Sequence, residues 1–169
     1  AGGPVVDRFT FFAGTVGIFE AAAPNTKNRS FEMTAEVVIP PQGAQGVLVA
    51  MGGRFGGYSL FVRDQRLHYW YNNSGLEQSC FSSDKPVPQG PCQLAIDFVY
   101  DGGGQGRGGE VRLLVNGEHA GGGRLERTVP RIFARETFDV GMDLNSPVGD
   151  YDAPFAFDGT LRQLVIELR

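Results

Sequence analysis

Strict alternation of apolar and polar residues is the feature that most limits how this chain can fold. From position 31 to position 39 every second residue is apolar: Phe31, Met33, Ala35, Val37 and Ile39. Successive side chains of a strand point to opposite faces of its sheet, so a period of two is typical of a half-buried strand. The same alternation runs through 92–100 and 111–115. No segment carries a helical apolar stripe of useful length.

Turn signals divide the rest of the chain into short strands. Asn116-Gly117 follows the strand at 111–115 and predicts a tight hairpin, because both positions of such a turn require a positive φ. Further strands are predicted at 46–51, 58–63, 66–72, 76–82, 118–125, 137–141 and 160–168. Many short strands with frequent turns predict an all-β fold, an antiparallel β-sandwich or barrel, for which a jelly roll fits the hairpin pairing.

Size and charge limit the domain count and the partners. The chain has 169 residues, of which 41% are hydrophobic, which suffices for one buried core and is too short for two comfortable domains. We therefore expect a single sandwich domain over 1–169, with 1–29 as an N-terminal edge segment and 30–169 as the core sandwich. A net charge of −4 with scattered Lys and Arg argues against nucleic acid and anionic membranes as partners. No apolar run approaches the length of a membrane span.

The stretch DVGMDLNSPVGDYD is the strongest candidate for a metal site. It carries Asp139, Asp143, Asp150 and Asp152 in a loop punctuated by Gly and Pro. Carboxylate oxygens are ligands suited to Ca²⁺, although the spacing is not that of an EF-hand. The alternative is that these aspartates favour turns, since Asp bonds its own backbone.

An aromatic face is the second candidate site. If Asp64-Gln65 joins two strands as a two-residue turn, Phe61 opposes His68 and both lie on one face with Trp70, beside Arg63 and Arg66. Aromatic rings next to arginine suit a sugar or a protein interface, unless they are ordinary sheet packing.

Two smaller features remain open. Arg54 projects from the run GGRFGG at 52–57, which brings backbone close to a ligand or simply connects two strands. Cys80 and Cys92 flank a predicted turn around 83–90. They form a disulfide if they lie across a hairpin from one another, and otherwise they are two free thiols.

Several separated motifs, in one order, carry a resemblance to a known family. They are NRSF at 28–31, GVLVA at 46–50, GGRFGGYSL at 52–60, SDKP at 83–86, YDGGG at 100–104, RLERT at 124–128, and TFDVG at 137–141 followed by SPV at 146–148. Together they resemble the C-terminal domain of long bacterial arylsulfatases, from about residue 25 to residue 168. The resemblance implies a concanavalin A-like, laminin-G-type jelly roll, with the sulfatase chemistry in a separate α/β domain upstream.

The chain itself lacks the chemistry of such an enzyme. Sulfatases of this type carry a Cys- or Ser-x-Pro-x-Arg motif, and neither Cys80 nor Cys92 is followed by the Pro and Arg. His68 and His119 are the only histidines. We therefore expect no sulfatase activity from these residues.

Three functions follow as hypotheses. The leading one is a non-catalytic accessory domain of a bacterial sulfatase-like hydrolase, which packs on the catalytic domain of the same polypeptide or shapes access to it. The second is an independent lectin-like module that binds carbohydrate at the aromatic face, with Ca²⁺ in the acidic loop. The third is a glycan-cleaving jelly roll. Glucanases of this fold carry closely alternating acids on one strand, and no predicted strand of this chain does. The sequence leaves open whether the protein is cytoplasmic or exported.

Overall fold

The computed structural model describes residues 7–169, which form twelve β-strands and one 3₁₀ turn at Glu20–Ala22. The strands are β1 (Arg8–Phe11), β2 (Ile18–Phe19), β3 (Phe31–Ile39), β4 (Gly46–Gly53), β5 (Gly56–Arg63), β6 (Arg66–Asn73), β7 (Glu77–Ser82), β8 (Gly90–Tyr100), β9 (Arg107–Val115), β10 (Glu118–Arg127), β11 (Thr137–Val140) and β12 (Thr160–Leu168). In the described part of the chain, no helix is long and apolar enough to cross a membrane.

The strands form two six-stranded sheets. Sheet A has the order β1-β12-β3-β8-β9-β10, and sheet B has the order β2-β11-β4-β5-β6-β7. All strand pairs within the sheets are antiparallel. The chain passes between the sheets several times, so strands distant in sequence become neighbours. The predicted all-β antiparallel sandwich is confirmed.

Apolar residues of both sheets meet in one core between them. On β3 the predicted alternation is complete, with all five apolar residues buried and the residues between them partly exposed. Met33 and Ile96 of sheet A and Leu60 of sheet B are fully buried members of this core. β4 is buried at every residue, which shows that both of its faces are covered.

Two tight turns fix the register of the hairpins. Asn116 and Gly117 have φ values of 52° and 78°, as predicted for the turn between β9 and β10. Asp64 and Gln65 also have positive φ values, 52° and 62°. The predicted pairing of Phe61 with His68 is confirmed across β5 and β6, and Ser59 lies opposite Trp70 in the same register.

The N-terminal segment contributes one edge strand to each sheet. β1 pairs with β12 in sheet A, and β2 pairs with β11 in sheet B. These two strands were not predicted, because four and two residues are too few to show a period. Residues 1–6 of the expected edge segment lie outside the described residues.

Candidate functional site

The outward face of sheet B carries the predicted aromatic group. The opposite face of β5 and β6 points into the main core and carries Tyr58, Leu60, Val62, Leu67, Tyr69 and Tyr71. Phe61 and Trp70 lie on the other side, in a second apolar cluster with Val47, Ala50, Val148, Tyr151 and Phe155. The predicted aromatic face and the predicted acidic loop therefore pack against each other in this second cluster.

Residues 141–156, which we call the cover loop, lie over this face of sheet B. The Val47 N–H donates to the Phe155 carbonyl at 2.8 Å, and Val47 forms an isolated bridge with Ala156. Phe61 meets the Tyr151 ring edge-on at 5.1 Å between centroids, and it has no exposed surface. Phe61 therefore packs rather than contacts a ligand, which corrects its assignment to a binding face.

Asp139 is a buried acceptor that holds the start of the cover loop. Its Oδ1 accepts the Gly17 N–H at 2.8 Å and the Thr137 hydroxyl at 3.0 Å. Its Oδ2 accepts the Leu144 N–H at 2.9 Å. Both oxygens are thus occupied by donors of the chain, and Asp139 ties the cover loop to the segment that precedes β2.

Asp143 belongs to the cover loop and is fully buried. Its Oδ2 accepts the Val148 N–H at 2.9 Å and the Tyr151 hydroxyl, while its Oδ1 has no hydrogen-bond partner among the described residues. The Ser59 hydroxyl lies 2.8 Å from the Tyr151 oxygen. Burial raises the pKa of the Asp143 carboxyl from its ordinary value to about 6, because the charged form loses its hydration.

The other two aspartates lie at the surface. Asp150 forms an ion pair with Arg63 at 2.9 Å, and Asp152 is exposed. Within residues 7–169 there is no group of three or more His, Cys, Asp or Glu side chains placed to hold a metal ion. The four aspartates expected to bind Ca²⁺ are therefore not assembled into one site, and calcium binding stays a prediction.

His68 is held as a neutral ring beside the cover loop. It stacks on Phe61 at 5.1 Å with an interplanar angle of 22°. Its Nε2 lies 3.0 Å from the Arg63 carbonyl and its Nδ1 lies 2.7 Å from the Ser82 hydroxyl. Since a carbonyl only accepts, Nε2 carries the proton and Nδ1 accepts from Ser82. Burial lowers the pKa of His68, which keeps the ring neutral near pH 7.

Trp70 is half-buried and lies at the centre of the part of this face that the cover loop leaves exposed. Its indole N–H donates to Gln78 Oε1 at 2.9 Å. One side of the ring is backed by Gly149, where an added Cβ would lie 3.2 Å from Trp70 Cδ2. We call this surface the Trp70 face; it consists of Arg63, His68, Trp70, Gln78 and Asp150. No pattern in the sequence pointed to Gln78, because its approach to Trp70 depends on the pairing of β6 with β7.

Arg54 does not belong to the Trp70 face. It is exposed in the turn between β4 and β5, whereas Arg63 stands at the opposite end of β5. Its backbone N–H donates to the Ser146 hydroxyl at 2.9 Å, and its carbonyl accepts from Asn72 at 2.9 Å. The Gly-rich run therefore shapes a strand connection in the structure.

The two cysteines are free thiols in different sheets. Cys80 lies opposite Trp70 on β7 and is exposed, and Cys92 lies opposite Val37 on β8 and is buried. Of the two alternatives that the sequence left open, the structure has the free thiols rather than the disulfide, because β7 and β8 do not form a hairpin: the chain crosses from sheet B to sheet A between them.

Comparisons with known proteins address the fold. No protein-family model matches the sequence, and the curated proteins give no sequence match. The carbohydrate-binding module CBM40 of Ruminococcus gnavus IT-sialidase superposes with a TM-score of 0.59 at 13% identity, over 96% of this chain and 89% of that one. Domain 4 of the arabinanase AbnA from Geobacillus stearothermophilus gives a TM-score of 0.55 at 19% identity, over 85% and 62% of the two chains.

Mouse laminin α1 domains LG4-5 give a TM-score of 0.50 at 16% identity, over 98% of this chain and 43% of that one. These similarities show the fold, which is the concanavalin A-like, laminin-G-type sandwich that the resemblance implied. They do not show the resemblance to the arylsulfatase C-terminal domain, which stays a prediction.

Proposed function

We propose that this chain is a lectin-like carbohydrate-binding module whose ligand contacts the Trp70 face. The observation that carries the proposal is the half-buried Trp70, fixed by Gln78 and Gly149 and flanked by the Arg63–Asp150 ion pair. An indole ring is apolar on its face and polar at its edge, so it suits a ligand that presents both C–H groups and hydroxyls. Sugars have this composition.

The polar groups around Trp70 retain free bonding capacity for hydroxyl groups. The Arg63 and Asp150 side chains are 28% and 52% exposed, so a ligand can reach both a cationic donor and an anionic acceptor. Gln78 uses its Oε1 to accept the indole N–H, which leaves its amide N–H groups free to donate. A few placed polar groups beside an apolar surface are the usual composition of a ligand site.

The covered cluster beneath this face supports preorganised binding. Phe61 and the cover loop fix His68 and the strand that carries Trp70, so little side-chain entropy is lost when a ligand binds. Two solved structures with this fold contain bound saccharides. CBM40 of the Ruminococcus gnavus sialidase has been solved with α2,3 sialyllactose, and AbnA domain 4 has been solved with arabinotriose.

Isothermal titration with oligosaccharides selected on a glycan array tests the proposal. We expect Trp70→Ala to weaken binding at least tenfold, because it removes the ring that the sugar contacts. Phe55→Ala is the matched control: Phe55 is an aromatic residue with 72% exposure in the turn between β4 and β5, and its loss should leave affinity unchanged. Silence of the wild-type protein on the array, or equal losses for the two variants, would exclude the Trp70 face as the site.

The accessory role in a sulfatase-like hydrolase stays a prediction that the open reading frame can test. A frame that extends upstream and encodes Cys- or Ser-x-Pro-x-Arg would support it. A carbohydrate-binding role is compatible with such a parent protein, since a binding module can serve the enzyme that carries it.

A further inference from the structure

A groove of about 550 Å³ lies at one end of the sandwich, between the 3₁₀ turn and residues 131–136. Phe19 and Ile132 line it and are each 71% exposed, although both are large apolar side chains. None of its lining residues belongs to the Trp70 face. An exposed apolar surface within a groove commonly marks a binding site.

The two acidic side chains of the groove already have partners in the protein. Glu20 pairs with Lys27 at 3.4 Å, where their side chains are only 16% and 8% exposed, and it also accepts the Phe133 N–H at 2.7 Å. Glu136 accepts the Ser146 N–H at 3.0 Å and the Ser146 hydroxyl at 2.7 Å. These two carboxylates therefore have their own partners within the protein.

The two arginines of the groove have no such partner. Arg131 and Arg135 line it and are exposed, and neither forms an ion pair with any of residues 7–169. The chain as a whole carries a net charge of −4, so this positive patch is opposite in sign to the average surface. Guanidinium groups suit carboxylate and sulfate oxygens, which they bind in a bidentate manner.

Packing from below holds the groove in shape. Phe133 is 7% exposed and meets the Tyr58 ring edge-on at 5.6 Å. The Lys27 Nζ lies 4.8 Å from the centre of the Phe133 ring. The segment that carries both arginines is thus anchored at its middle, which lowers the entropy that binding must overcome.

We propose that this groove binds an acidic saccharide, with a carboxylate or sulfate at Arg131 and Arg135 and the sugar ring against Phe19 and Ile132. Its volume lies within the range of roughly 300–1,000 Å³ typical of small-ligand sites, whereas a protein partner would require about 800 Å² of surface from each side. The site is separate from the Trp70 face and does not depend on the function proposed there.

Titration calorimetry at low ionic strength tests this site with three tetrasaccharide probes: chondroitin sulfate, hyaluronan and the neutral chitotetraose. We expect at least one of the two acidic probes to bind with an affinity that falls at least fivefold in the variant Arg131→Gln/Arg135→Gln. Phe19→Ala should also weaken that binding, since it removes the apolar contact. The matched control, Arg112→Gln/Arg162→Gln, removes the same charge from exposed positions of sheet A and should retain the affinity.

The outcomes separate the two sites. Trp70→Ala should leave acidic binding at the groove intact, so failure of the Trp70 face does not remove this proposal. Binding of the sulfated probe alone or of hyaluronan alone would identify the anion. No binding of either acidic probe, equal losses in the two arginine variants, or preference for a polyglutamate peptide over both acidic probes would overturn it.

Discussion

Asp143 is a buried carboxylate whose hydrogen bonds are incomplete. A buried carboxylate is stable only if donors replace the lost water, and here Oδ1 has none while Oδ2 accepts two. Its pKa is raised from 3.8 to about 6. The charged form at neutral pH therefore lowers the free energy of unfolding.

The substitution Asp143→Asn should stabilise the protein at pH 8 by roughly 1–2 kcal/mol, because it keeps the acceptor and removes the buried charge. Below pH 6 the native carboxyl takes up a proton that the unfolded chain binds only near pH 4. Wild-type stability gains from this group as the pH falls through that window, so the advantage of the variant should shrink at pH 5. Urea denaturation at pH 5 and pH 8 measures both effects.

Asp152→Asn is the control for this substitution, since Asp152 belongs to the same loop and is exposed. It should change stability by less than about 0.5 kcal/mol at either pH. A gain for Asp143→Asn of equal size at pH 5 and pH 8 would contradict the claim that the buried charge of Asp143 destabilises the protein.

The cover loop is the element that converts one face of sheet B into a second core. Sheet faces in antiparallel sandwiches often contact solvent on one side, but β4 and most of β5 are buried on both. The cluster of Val47, Ala50, Phe61, Val148 and Tyr151 accounts for this burial. Ordering of the Trp70 face thus depends on a loop about 90 residues further along the chain.

Phe61→Ala should therefore cost about 3–5 kcal/mol in unfolding free energy, as expected for a buried aromatic residue replaced by Ala. Val99→Ala is the comparison, because Val99 is 40% exposed on β8 and should lose less than about 1 kcal/mol. Equal small losses in urea denaturation would mean that the cover loop does not pack on sheet B in solution.

Sequence patterns predicted elements well and the contacts between distant elements poorly. Alternation placed Phe61, His68 and Trp70 on one face correctly, since a strand's period assigns its two faces without reference to the rest of the chain. The same pattern carries no information about what covers the second face, so it left open whether Phe61 contacts a ligand or packs in the protein. The sequence left the pairing of Cys80 and Cys92 open for a related reason: a turn signal between them does not reveal that the chain changes sheets.

On the scale of the whole molecule, two stacked sheets present two chemically different surfaces. The Trp70 face offers an indole ring, an amide and an ion pair on the outside of sheet B. The groove at one end of the sandwich offers, beside Phe19 and Ile132, two arginines that form no ion pair within residues 7–169. The resemblance of motifs implied this fold. The sequence predicted Arg63, His68 and Trp70 on one face, but it could not add Asp150 to them or assemble the groove, because these contacts join segments more than 50 residues apart.

The indole N–H resonance of Trp70 gives the most direct measurement of carbohydrate binding at this face. Trp70 is the only tryptophan, so a ¹H–¹⁵N spectrum of the labelled protein contains a single indole signal and needs no assignment. Titration with an oligosaccharide that the glycan array selects should shift that signal with the same dissociation constant that calorimetry gives. Saturating binding with an unmoved indole signal would contradict the proposed function at its centre.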